Sequence, residues 1–250
     1  MTVDTTVQTK AIAYPTDGHL MLRAVERLAA LARKQGVALR QSYARVARHA
    51  RREAARLLHG RGHKQGMRHL RRLRTFLGRL IRDVARKVEG DPAREAACAE
   101  TLERARRIHG QRPGDADKLY AFHAPEVECI ARGKARARYE FGVKTSVAVT
   151  NARQPGGQFV LGARTLPGAP HDGRSLAAQI DQVARLTGHP VRRAYVDRGY
   201  RGHGVVREGL QVVVSHTRGI LSPTIRREMR QRNAIECGAA IRMRRARQSG

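Results

Sequence analysis

Three carboxylates in this 250-residue chain stand where carboxylates are unusual. Asp4 interrupts Thr2-Val-Asp-Thr-Thr-Val7, a β-branched run that predicts a strand, and Asp is disfavoured in strands. A carboxylate buried in such a strand must be paired or bind a metal. Asp197 ends the short apolar run Ala194-Tyr-Val196 and is followed by Gly199, Tyr200 and Gly202. An acid at the carboxyl end of a buried strand, before a glycine-rich turn, is where α/β sheets present chemistry, although Asp197 suits the cap of that turn equally well. Glu236 closes Arg232-Asn-Ala-Ile-Glu236, at the end of a segment of helical character that begins at Thr224. Only the fold could bring the three together. Three carboxylates that meet can hold a pair of Mg²⁺ ions, and two ions clamp the attacking and leaving oxygens of a phosphoryl transfer.

The elements that must position them are legible from hydrophobic periodicity. Tyr14-Pro-Thr-Asp17 breaks the first strand and offers Thr16 or Asp17 as a helix cap. Leu28, Leu31 and Ala32 mark a first helix that Gly36 interrupts; Tyr43, Val46, Ala47, Ala50, Ala54, Leu57 and Leu58 mark a second. Leu70, Leu73, Leu77, Leu80, Ile81, Val84 and Val88 mark a third, and Asp91 with Pro92 starts a fourth that runs to about His109. Helices of this number and length predict a small bundle. A polar linker, Gly110 to Asp117, follows. Strands are predicted at Tyr139 to Thr150, Gln158 to Leu166, around Ala194 to Val196 and at Gln211 to Ser215, with Phe159, Val160 and Leu161 as apolar positions of the second. Asp172 is expected to cap a helix over Ser175 to Leu186 that buries Leu176, Ile180, Val183 and Leu186. His123, Glu126, Glu128 and Cys129 match no standard metal spacing and read as structural.

The charge narrows the partners. Lys and Arg number 50 against 21 Asp and Glu, a formal charge of +29, so a polyanion is expected. Aromatic content is 4% and Trp is absent, which argues against a stacking platform for single strands and for phosphate contact on a duplex. Residues 20–112 hold 25 of the basic residues and 8 acidic ones. Arg48, Arg51, Arg52 and Arg56 form one cluster; Arg68, Arg71, Arg72, Arg74 and Arg79 form another. A ribosomal-type basic protein would explain the charge but not the placed carboxylates. Three scattered cysteines suggest neither a zinc site nor a disulfide framework, and no stretch has the length of a membrane span.

The chain resembles the DDE transposases of bacterial insertion sequences, which carry a ribonuclease H-like catalytic domain. The resemblance rests on Val3-Asp-Thr-Thr-Val-Gln8, Ala13-Tyr-Pro-Thr-Asp17, His123-Ala-Pro-Glu-Val-Glu-Cys-Ile130, Tyr139-Glu-Phe-Gly-Val-Lys144, Leu166-Pro-Gly168, Tyr195-Val-Asp-Arg-Gly-Tyr-Arg-Gly-His203 and Asn233-Ala-Ile-Glu236, in order over nearly the whole chain. It implies an α/β fold, a ribonuclease H-like mixed sheet with a large basic all-helical insert after the first strand. The first strand would occupy 1–16, the insert 17–117, the rest of the catalytic domain 118–236 and an atypical basic tail 237–250. Asp4, Asp197 and Glu236 match the family's catalytic, metal-binding triad, which implies two Mg²⁺ (or Mn²⁺) ions. The implied reaction cuts the phosphodiester at an element end and joins the freed 3′-hydroxyl to target DNA. The implied partner is double-stranded DNA, bound alone or as a homodimer in the DNA complex, in the bacterial cytoplasm at the nucleoid. Arg201 and Arg232 join the helical arginines as expected DNA contacts.

Two features depart from the family. Related transposases carry a helical domain ahead of the first strand. They also have a lysine seven residues after the glutamate, where Met243 stands here, and a tyrosine where Met229 stands. Gly238 weakens a helix by roughly 1 kcal/mol. The tail therefore predicts a copy that binds DNA and cuts poorly or not at all. The alternatives are a DNA-binding remnant without catalysis and a ribonuclease H-like nuclease outside transposition.

Overall fold

The structure is a computed structural model that describes residues 1–60, 62–134, 137–152, 155, 157–215 and 222–232, with the backbone alone at 131–134 and 137–138. Two compact units divide it: Lys10–Cys129, and Met1–Thr9 together with Ile130–Gly250.

The first unit is helical. Helix α1 (Asp17–Lys34) starts where the Thr16 hydroxyl accepts the His19 amide at 3.2 Å. Helix α2 (Ala44–Leu58) presents Ala47, Ala50 and Ala54 to the core, small side chains that let a neighbouring helix approach closely. Tyr43, just before it, has φ 56° and stacks its ring on Phe76 at 5.1 Å. Helix α3 (His63–Val88) carries the apolar stripe Leu73, Leu77, Leu80 and Val84, all fully buried. Helix α4 (Pro92–Gly110) begins at Asp91, whose carboxylate accepts the Arg94 amide at 3.1 Å, with Pro92 in the first turn as expected. Residues 118–129, expected with the catalytic part, pack here instead. Leu119 and Phe122 belong to the helical core, and the buried Gln111 amide brackets Leu119, donating to its carbonyl at 3.2 Å and accepting from its N–H at 3.0 Å.

The second unit is a mixed sheet with helices, so the chain as a whole is α/β. Strand β1 (Thr2–Thr9) pairs antiparallel with β3 (Ala137–Val149), from Thr2 opposite Val149 to Thr9 opposite Gly142. Strand β5 (Arg193–Val196) runs parallel to β1 on its other side, with Thr2 opposite Tyr195, and β6 (Gln211–Val214) runs parallel to β5. Strand β4 (Val160–Thr165) is antiparallel to β3, and β2 (Glu128–Lys134) adds at the end of the order β2-β3-β1-β5-β6. Helix α5 (Asp172–Thr187) covers one face, where Leu176, Ile180 and Val183 meet Val3, Ala148, Val196 and Tyr200. A helix at 223–232, here α6, contributes Ile225 and Met229 to a second cluster with Tyr195 and Val213. Strand β2 was not foreseen: Glu-Cys-Ile-Ala-Arg-Gly-Lys has no apolar alternation, and it is pairing with β3 that makes it a strand. Leu186, expected to be buried, is exposed at 62% in the last turn of α5; Phe159 and Val160, apolar positions at the start of the edge strand β4, are exposed at 52% and 66%. No helix among the described residues is long and apolar enough to cross a membrane.

Gly142 shows how tightly β3 lies against β1. A Cβ there would come within 2.2 Å of the Gln8 carbonyl oxygen and 2.8 Å of Thr9 Cα, both backbone atoms. Gly142→Ala is expected to lower the unfolding free energy in urea titration by about 3 kcal/mol, and a loss under about 1 kcal/mol would show that the two strands can part here at little cost.

Candidate active site at Asp4 of strand β1 and the carboxyl end of strand β5

Ala194, Tyr195 and Val196 are buried, as a strand flanked on both sides requires. The strand stops there and the chain turns into a single 3₁₀ turn, Arg198–Tyr200. Asp197 caps that turn, its Oδ1 accepting the Gly199 amide at 2.9 Å. The turn-cap reading was correct, and it does not exclude a further role, because one oxygen is used and the carboxylate is half-buried. Asp4 lies two residues beyond Thr2, as Asp197 lies two beyond Tyr195, so the parallel register sets the two acids at one level. Strand β1 runs on past this level while β5 has ended, and ends of this kind open the crevices of α/β sheets. Asp4 Oδ1 accepts the Thr5 amide at 2.8 Å.

A third acid joins them. Asp172 was expected as the cap of α5, but His171 takes that place, its Nδ1 accepting the Gly173 amide at 3.2 Å. Asp172 is the first residue of the helix, where the positive end of the helix dipole favours a carboxylate. Its Oδ2 would lie 2.7 Å from a Cβ on Gly199, and Asp197 Oδ1 would lie 3.1 Å from the same point. The two carboxylates thus converge on a position that only a glycine leaves open. Lys144 of β3 sits 2.8 Å from Asp172 Oδ1, off the direction of an aligned hydrogen bond, and donates to the Pro170 carbonyl at 2.7 Å. Lys144 shares its side of β3 with the small residues Ser146 and Ala148.

Beneath the acids lies Tyr200, fully buried. Burial pushes its phenol well above the ordinary tyrosine range, and the charges of Asp172, Asp4 and Asp197 push the same way; the nearby Ser146 hydroxyl acts in the opposite sense. The phenol therefore stays protonated and can serve as a donor. Tyr200 Oη lies near the equally buried Ser146 Oγ, and neither oxygen makes an aligned hydrogen bond among the described residues. Orphaned hydroxyls under a set of carboxylates suit a hydrated cation. No three His, Cys, Asp or Glu side chains among the described residues are grouped tightly enough to hold an ion by themselves. Mg²⁺ keeps several waters and takes one or two carboxylates, so the arrangement fits a partly hydrated ion.

The remaining expected residues divide. Glu236 and the tail 237–250, with Gly238 and Met243, lie outside the described residues. Arg201 is exposed just beyond the Asp197 turn. Arg232 is placed differently from expectation: it is 2% exposed and donates to Ser215 Oγ, which in turn donates to the Val196 carbonyl at 3.0 Å. In this conformation it anchors the end of α6 beside β5 and presents nothing to a phosphate. In the helical unit Arg48 pairs with Glu26 at 2.8 Å, Arg56 pairs with Glu53 at 2.7 Å, and Arg72 lies 5.5 Å above the Phe76 ring. Arg51 is half-buried, while Arg52, Arg68, Arg71 and Arg79 are exposed. Arg74 leaves the expected cluster, since its guanidinium binds the carbonyls of His109 and Gln111 at 3.0 and 3.2 Å. Glu126 pairs with Lys10, and Cys129 lies against Tyr120, in keeping with a structural role.

A cleft of about 590 Å³ lies at the other, amino-terminal end of β1 and β5, beside Met1, Arg193 and Tyr195. There Glu228 accepts from the Tyr195 hydroxyl and from Arg193, the hydroxyl doing most to hold its carboxyl below the usual range. These groups satisfy one another.

Comparison with known proteins adds one short match. Over 59 residues the chain is 54% identical to an uncharacterized protein, ORF8 in the nfe locus of Rhizobium meliloti; the match covers 24% of this chain and 28% of that protein. No family model and no solved structure matches.

Gly199→Ala should force the Asp172 and Asp197 carboxylates apart. In a double-mutant cycle with Asp172→Ala, measured by urea unfolding, the two changes are expected to be non-additive by about 1 kcal/mol. Additivity would show that Asp172 has room to withdraw and that the convergence at Gly199 is loose.

Proposed function

We propose that this chain acts on double-stranded DNA as the catalytic part of a transposase of ribonuclease H-like fold, with its phosphoryl-transfer site at Asp4, Asp197 and Glu236. The observation that carries this reading is the parallel register of β1 and β5, which sets Asp4 and Asp197 level at adjoining strands. The strand order supports it: an antiparallel run β4-β3-β1 continued by the parallel pair β5-β6, with a helix between β4 and β5, is the order a ribonuclease H-like sheet requires. Arg232 supports the third acid. It ties the end of α6 to Ser215 and Val196 beside Asp197, and Glu236 follows four residues on in the sequence.

Two Mg²⁺ or Mn²⁺ ions, when bound, would supply the Lewis acid that stabilises charge on the reacting phosphate. The chain's own residues do the rest. Asp4 and Asp197 supply carboxylates already oriented by the Thr5 and Gly199 amides. Tyr200 keeps its proton and so remains a donor beneath them. Arg201, exposed beyond the turn, can meet the DNA backbone close to the reacting group. The duplex is further held through phosphates by exposed arginines of the helical unit. Arg52, Arg68, Arg71 and Arg79 are the foremost, since none makes an ion pair among the described residues, whereas Arg48 and Arg56 are partly neutralised by Glu26 and Glu53.

The decisive experiment incubates the purified chain with Mg²⁺ and a plasmid carrying the DNA that flanks its own reading frame. Asp197→Ala and Asp4→Ala are expected to abolish strand cleavage while duplex affinity stays within about threefold, since one carboxylate is a small part of a binding surface built on phosphate contacts. Equal loss of cleavage and binding would assign the acids a folding role. Charge is tested separately. Replacing Arg52, Arg68, Arg71 and Arg79 with Gln should reduce the slope of log affinity against log salt by about one for each lost phosphate contact. An unchanged slope would place the DNA elsewhere on the chain.

A further inference from the structure

We propose that Asp172 is a working carboxylate of the site: together with Asp197 it holds a hydrated divalent cation over the buried hydroxyls of Tyr200 and Ser146, in the field of Asp4. This rests on the reading of Asp4 and Asp197 given above and adds to it a carboxylate and two hydroxyls that the triad does not contain.

Three observations carry it. The Asp172 and Asp197 carboxylates converge on one point, the place a Gly199 side chain would fill. Tyr200 and Ser146, both 0% exposed, bring hydroxyls to the same corner without an aligned protein partner. A buried hydroxyl left without a partner destabilises a fold, so two of them in one place call for something to bind, and water on a metal ion accepts and donates as they require. The charge of Lys144 stands 2.8 Å from Asp172, where it offsets the acids in the absence of a cation. Lys144 also donates to the Pro170 carbonyl, which keeps its ammonium partnered when the ion takes over Asp172. Phenol and hydroxyl would then act through the ion's water molecules, as groups behind a metal's direct ligands generally do.

The test measures Mn²⁺ binding to the full chain from the paramagnetic resonance signal of the free ion, with no DNA present. Tyr200→Phe keeps ring and charge and removes one oxygen. It is expected to weaken Mn²⁺ binding by about tenfold, and Asp172→Asn by at least as much. Without metal, Tyr200→Phe should melt close to the parent, because its hydroxyl loses only an unaligned approach to Ser146; a clearly lower melting temperature together with unchanged Mn²⁺ affinity would make Tyr200 purely structural and overturn the proposal. Asp4→Asn and Asp197→Asn are run beside them. If these two weaken binding and the first two do not, the present inference fails while the Asp4–Asp197 site stands; if none of the four does, both fail. The unmodified chain gives an independent readout. Fe²⁺ in place of Mn²⁺, with ascorbate and peroxide, should cut the backbone next to residues 172 and 199, and cutting confined to other segments would overturn the assignment.

Discussion

Repulsion among like charges is the constraint on which the sheet unit is built. Asp172 and Asp197 point to one place, and Asp4 acts on the same buried phenol from β1. Two carboxylates within about 6 Å of each other repel by about 3 kcal/mol in a partly wet protein environment. The structure meets this with fixed opposite charge and fixed dipoles. Lys144 faces Asp172, the first turn of α5 offers its positive end, and the Thr5 and Gly199 amides donate to Asp4 and Asp197. Each of these is held by the backbone or by an adjacent strand, so the acids are positioned before any ligand arrives. A cation bound among them would relieve the repulsion that remains, which gives a site of this composition its affinity.

The sheet is ordered so that these groups can meet. Strand β1 lies between β3 and β5 and so joins two lines of chemistry. The antiparallel register with β3 brings Lys144 and Ser146 opposite Val7 and Thr5, and the parallel register with β5 sets Asp197 level with Asp4. A slip by one residue in either register would send every one of these side chains to the opposite face. Gly142 and Gly199 each leave room for a close neighbour. At the first, a side chain would strike the β1 backbone; at the second, it would occupy the space of the carboxylates. Neither glycine has a positive φ, so close approach rather than backbone conformation explains them.

How much of this could be read from the sequence depended on whether the signal was local. Helices α1 to α4 were legible because their apolar stripes repeat at helical spacing and their starts carry Thr16 and Asp91. Strands β1, β5 and β6 were legible as β-branched or apolar runs. What was not legible was decided by partners remote in sequence. The strand at Glu128–Lys134 exists because β3 offers an edge, and Asp172 is not a cap because its neighbour His171 reaches the Gly173 amide first. Arg232 reads as one more basic residue in a basic chain, and its burial follows from Ser215, which lies seventeen positions earlier. The arginine clusters could be counted but not sorted: Arg68 and Arg71 are exposed, while Arg74 is spent on carbonyls at the end of α4.

That sorting bears on how so basic a chain recognises anything. A charge of +29 attracts any polyanion, and attraction of that kind carries no selectivity. Selectivity has to come from groups fixed in place. In the helical unit the arginines tied to Glu26, Glu53, Phe76 or backbone carbonyls are the ones with fixed geometry, while the unpaired exposed ones supply reach and affinity. In the sheet unit the division is sharper: the acids and Tyr200 are buried or half-buried, and Arg198 and Arg201 of the same turn stand exposed. On the proposed reading the arginines concentrate DNA around the chain without choosing a bond, and the choice falls to the few atoms around Asp4 of β1 and the end of β5. The turn Asp-Arg-Gly-Tyr-Arg joins both tasks within five residues. It alternates a carboxylate and a phenol that face inward with two guanidinium groups that face the solvent, around a glycine whose missing side chain lets Asp172 in.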